Sequence, residues 1–61
     1  MKRNFIIDGF EKEAPVSLKE TPAKESLIYY NKELYIVADI SYHLEENVIK
    51  IHLFHNGKTK H

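Results

Sequence analysis

From Leu27 to Phe54 the chain is dominated by β-branched and aromatic residues, among them Ile28, Tyr29, Tyr30, Tyr35, Ile36, Val37, Ile40, Tyr42, Val48, Ile49 and Ile51. Such residues favour strands. Two polar interruptions, Asn31-Lys32 and Glu45-Glu46-Asn47, divide the stretch into three. If Asn31-Lys32 is a two-residue turn, Tyr30 faces Glu33, Tyr29 faces Leu34, Ile28 faces Tyr35 and Leu27 faces Ile36. Asn accepts the positive φ of such a turn and Lys accepts it less readily. For the second turn, a four-residue loop over 45–48 opposes apolar to apolar at each step: Leu44 with Ile49, Tyr42 with Ile51, Ile40 with Leu53.

These registers predict an antiparallel three-stranded meander. Strict alternation then collects Leu27, Tyr29, Leu34, Ile36, Ala38, Ile40, Tyr42, Leu44, Ile49, Ile51 and Leu53 on one face. The opposite face is divided. It is apolar near the first hairpin (Ile28, Tyr35, Val37) and polar near the second (Asp39, Ser41, His43, Lys50, His52). A full apolar face must be covered. Residues 1–26 offer Phe5, Ile7, Phe10, Val16 and Leu18 for the task, as one or two further strands. Arg3 to Ile7 reads as a strand, Asp8-Gly9 as a turn, and Pro15 to Leu18 as a second short strand; Pro22 argues against a helix there. The expected fold is all-β: a small, partly open barrel or sheet built on the 27–54 meander. Residues 1–61 are expected to form a single small domain, with 55–61 as a polar, flexible tail.

The run Pro22-Ala23-Lys24-Glu25-Ser26-Leu27-Ile28-Tyr29-Tyr30-Asn31-Lys32-Glu33-Leu34-Tyr35-Ile36-Val37 resembles a pattern of small SH3-like barrels. There a proline and a polar loop lead into a short strand, a tight turn, and a strand reading aromatic-x-Val. Such modules recur in short proteins of bacteriophages and other mobile elements. The resemblance implies a compact β-barrel and carries over no functional residue.

Composition narrows the functional classes. Nine Lys and Arg balance nine Asp and Glu, which removes the excess positive charge that general binding to nucleic acid or anionic membrane feeds on. No apolar run approaches the ~20 residues of a membrane-spanning helix, and Asp8 interrupts Phe5-Ile6-Ile7 before a signal core can form. With no cysteine, the chain reads as cytoplasmic and without disulfides.

Four histidines raise metal binding, but alternation alone explains their positions, and no metal or other cofactor is expected. Among carboxylates Asp39 is the best acid–base candidate, being mid-strand on the divided face; it reads equally as a charge that deters strand pairing. Glu45 and Glu46 belong to a turn tip. A chain of 61 residues has little room for both a core and a substrate pocket, so catalysis is not expected. The expected function is a binding module acting through protein contacts, with a homodimer as one form. Its candidate surface is the aromatic-rich patch Ile28, Tyr30, Tyr35 and Val37, unless residues 1–26 fold over it. The alternative is a small nucleic-acid-binding barrel using Lys32, Lys50, Lys58 and Phe54.

Overall fold

The computed structural model describes residues 1–56 and is all-β. Its strands are β1 (Lys2–Ile7), β2 (Phe10–Glu13), β3 (Leu27–Tyr30), β4 (Glu33–His43) and β5 (Val48–His55). They form one mixed sheet in the order β2-β1-β5-β4-β3. Two of its hairpins close through two-residue turns with positive φ at both positions, the geometry whose twist matches that of the flanking strands. Asp8-Gly9 (φ 52° and 82°) joins β1 to β2, and Asn31-Lys32 (φ 55° and 69°) joins β3 to β4. The second φ is easy for Gly9 and strained for Lys32, whose Cβ pays roughly 1 kcal/mol in the left-handed region. The β3–β4 register is the expected one, from Tyr30↔Glu33 to Leu27↔Ile36.

The expected strand at Pro15 to Leu18 is instead a turn, closed by the Leu18 N–H donating to the Pro15 carbonyl at 3.0 Å. The tight Asp8-Gly9 turn starts pairing at once, so Phe10–Glu13 becomes the second strand, with Ile7↔Phe10 and Phe5↔Lys12 opposed. Pro15 has no N–H for a ladder. Residues 14–26 then cross the molecule, with Ala14 and Leu18 packed on the core. That crossing lets β1 lie parallel to β5, with Phe5 beside Ile51 and Ile7 beside Leu53.

The sheet is curled into a half-barrel. β1 and β3 are separated by two strands, roughly 14 Å in a flat sheet. Yet the rings of Phe5 and Tyr30 meet edge-to-face with centroids 5.1 Å apart. Inside the curl lies the core of Phe5, Tyr35, Val37, Ile49, Ile51 and Leu53, flanked by half-buried Ile7, Ile28, Tyr30 and Ile40.

Two features correct the expected face. The second loop is residues 44–47, not 45–48, so Tyr42 opposes Ile49 and Ile40 opposes Ile51. Asn47 takes the left-handed φ (59°) that ends this loop, and its N–H donates to the Leu44 carbonyl at 3.2 Å. A shift of two keeps the faces intact. The larger correction is a β-bulge: Val37 opposes Leu53 and Asp39 opposes His52, leaving Ala38 without a partner of its own. One extra residue exchanges inside for outside along half the strand. Tyr35 and Val37 therefore point inward, 4% and 0% exposed, together with Ile40 beyond the bulge. Leu27, Tyr29, Leu34 and Ile36 turn to the outer face.

Candidate functional site

The predicted protein-binding patch is mostly interior. Val37 and Tyr35 are buried, and Ile28 and Tyr30 are half-buried against them, so in this fold the four do not present an open surface. Phe5 of β1 covers them, which is the alternative the sequence left open. Burial pushes the Tyr35 phenol above its ordinary value, and the nearby carboxylates of Glu33 and Asp8 push it further. Beside it, the His55 ring packs against the Tyr35 ring, tilted by 49° with centroids 4.8 Å apart, and bridges the two tight turns. Its Nε2 lies 3.1 Å from Asp8 Oδ2 and its Nδ1 3.0 Å from Glu33 Oε1. His55, expected in the tail, is the last residue of β5.

The outer face divides into an apolar and a polar half. On the apolar half, Leu27, Ile36 and Phe54 lie in one row across β3, β4 and β5, with Tyr29 and Leu34 in the next. Tyr29 is 81% exposed, Phe54 66% and Leu27 57%, and none of these five residues is charged. Taking about 200 Å² for an aromatic side chain, the three open roughly 400 Å² of apolar surface in one place. That matches the largest apolar patch of a typical monomer, about 300–600 Å², which is often functional.

The polar half lies around Lys50. Its Nζ is 3.3 Å from Glu11 Oε1 and 3.9 Å from Glu46 Oε1. Asn4 Nδ2 donates to Glu11 Oε2 at 2.7 Å, while the Asn4 amide oxygen is buried without a partner. The Asn4 hydrogen bond holds the Glu11 carboxyl below the usual glutamate range; partial desolvation opposes this, and Lys50 reinforces it. Beside this group, Ser41 Oγ lies 2.9 Å from His43 Nε2 and 3.2 Å from His52 Nε2. Asp39 is exposed, and its carboxylate accepts the Ile40 N–H at 2.9 Å, which supports the bulge rather than a cleft. Among the described residues no group of three or more His, Cys, Asp and Glu side chains is arranged to hold a metal ion.

The nucleic-acid candidates are dispersed. Lys32 is in the β3–β4 turn, and Lys50 opposes Ser41, about 25 Å further along β4. The Lys50 charge is offset by Glu11 and Glu46. Phe54 shares the outer face of β5 with Lys50 but belongs to the apolar half. Lys58 lies outside the described residues.

Between the two edge strands the half-barrel is open. Phe10, Lys12, Ile7, Tyr30, Tyr35, Asp8 and Asn31 line a groove of about 300 Å³ there. Among the described residues no helix is long and apolar enough to cross a membrane. Comparison of the chain with protein-family models, with curated proteins and with solved structures found no match.

Strict alternation assigns Leu27 and Tyr29 to the covered face, whereas both are exposed. The bulge at Ala38 and the contact of Phe5 with Tyr30 place them outside, and no local pattern in the sequence marks either.

Proposed function

We propose that this chain is a non-enzymatic binding module that docks a polypeptide partner on the apolar half of its outer sheet face. The observation that carries the reading is the contiguous cluster of Tyr29, Phe54 and Leu27, exposed beside half-buried Ile36 and Leu34. Interface centres are depleted in charge and enriched in aromatic residues, and this face has both properties. Its complement is an uncharged, apolar strand or face of another polypeptide. Ser41, flanked by two imidazoles, sits on an open sheet rather than in a cleft, which favours binding over catalysis. The curled five-stranded sheet and the Pro22–Val37 segment support kinship with SH3-like modules of phages and mobile elements. A chain without cysteine suits the cytoplasm.

The test is Phe54→Lys. Phe54 is exposed, so the variant keeps its melting temperature within a few degrees. Immobilised wild-type chain incubated with a lysate retains a specific protein, which the purified pair then reproduces. The variant weakens that pair at least tenfold, the loss of one central anchor. A pair whose affinity is unchanged by Phe54→Lys removes the outer face from the function.

A further inference from the structure

Strand β3 is an edge of the sheet, bonded to β4 alone. In a two-residue hairpin, alternate residues turn their N–H and C=O toward the partner strand. The phase is fixed by Tyr30↔Glu33 beside the turn and by the Val37 N–H donating to the Ser26 carbonyl at 2.9 Å. The Ser26 carbonyl and the backbone groups of Ile28 and Tyr30 therefore face β4. The N–H and C=O groups of Leu27 and Tyr29 face the free edge.

The two edges of the sheet differ in chemistry. β2 carries Glu11, Lys12 and Glu13, charges of the kind that keep strand edges from pairing. β3 reads Leu-Ile-Tyr-Tyr, with no charge, no proline and no glycine. Apolar residues on both its faces make it a pairing template.

We infer that β3 pairs antiparallel with β3 of a second copy, about a two-fold axis at Ile28. This rests on the proposed binding role and names the chain itself as partner. Among the registers that oppose outer to outer residues, this is the one that engages the free edge groups of both Leu27 and Tyr29 with those of the second copy. A two-fold axis perpendicular to the sheet keeps outer faces together only if the paired residue numbers have an even sum. Setting Ile28 opposite Ile28 of the second copy places Leu27 opposite Tyr29, outer side chain against outer side chain. The same register makes Leu27 and Tyr29 a hydrogen-bonded pair, because these are the residues with free edge groups. By symmetry the junction holds four backbone hydrogen bonds. A neighbour one residue away would oppose outer to inner residues and lose the bonds. Four exposed side chains, two from each copy, contribute roughly 500 Å² of apolar surface. With the backbone edge this falls short of the ~1,200 Å² of a standard interface, so the dimer is weak and concentration-dependent.

Sedimentation velocity of the chain alone, from 5 µM to 1 mM in about 0.15 M salt, tests the inference together with amide exchange. The expected mass moves from 7.2 kDa toward twice that value. Amide exchange at Leu27 and Tyr29 slows at least tenfold between the ends of the series, whereas that at Glu11 and Glu13 on the other edge does not change. Leu27→Pro removes a free edge N–H while leaving the β3–β4 bonds, and Tyr29→Lys opposes charge to Leu27. Each is expected to keep the chain monomeric, and either serves if the other does not fold. A monomer throughout the series overturns the inference but leaves the Phe54 test of the outer face standing. A dimer lost in Phe54→Lys and kept in Leu27→Pro and Tyr29→Lys packs face to face, which also overturns it.

Discussion

Deleting Ala38 is the sharpest test of how this sheet is built. Ala38 is the extra residue of the bulge, with Val37 opposite Leu53 and Asp39 opposite His52. Without it, Val37, Asp39 and Ile40 would oppose Leu53, His52 and Ile51 as an unbroken ladder. Tyr35, Val37 and Ile40 would then share the inner face at a spacing of two, as they do now across the bulge. The core keeps every side chain, and the loss is confined to the local bend, about 1 kcal/mol for a change that leaves the core intact. A sheet without the bulge predicts the reverse. There Ile36, Ala38 and Ile40 would share a face, and the deletion would set Ile36 against Ile40 on opposite sides. At least two large side chains would leave the core, at ~1.5–3 kcal/mol each. A domain of this length holds only ~3–5 kcal/mol in all, so that deletion would unfold it. The control is removal of Ile36, which in the present structure shifts the phase of Tyr35 and is expected to unfold the chain. Urea unfolding followed by tyrosine fluorescence measures both variants. An unfolded Ala38 deletion, or an Ile36 deletion of equal stability, would refute the bulged strand.

Lys32→Gly replaces a strained left-handed residue by the one that suits it, and recreates the Asx-Gly sequence of the first hairpin. The relief exceeds the added chain entropy, so the urea midpoint should rise by the equivalent of about 0.5–1 kcal/mol; an unchanged or lower midpoint would contradict the turn geometry. Alkaline stability follows from Tyr35, whose phenol is raised by burial and by the neighbouring carboxylates. Stability linked to this group is full below the ordinary tyrosine value near 10 and declines as pH rises through the higher folded value. Absorbance at 295 nm should show one of the four tyrosines ionising late, and Tyr35→Phe should remove that step and ease the alkaline loss. Equal alkaline profiles for the two proteins would mean that Tyr35 is not the buried phenol.

Four of the five strands, the first hairpin register and the two turn sites were legible because each has a local cause; β2 was not, since the expected strand at Pro15 to Leu18 is a turn and Phe10–Glu13 pairs instead. Asn31-Lys32 and Asp8-Gly9 punctuate the chain, and β-branched and aromatic residues fill the intervals. The faces were legible only in part. Between Asp39 and Leu53 one side is polar, so Ile40, Ile49 and Ile51 have a single place to go. Between Leu27 and Val37 both sides are apolar, and alternation there carries no information about which side is inside. The decision belongs to contacts distant in sequence. Phe5 arrives through the parallel pairing of β1 with β5 and meets Tyr30, which commits Ile28, Tyr35 and Val37 inward with it. The bulge then reconciles that half of β4 with Ile40 on the other. The same ambiguity that hid the core produced the candidate site. A strand greasy on both faces leaves one greasy face outside whichever way it turns, and at the edge of a sheet that residue of apolar surface is free to meet another strand.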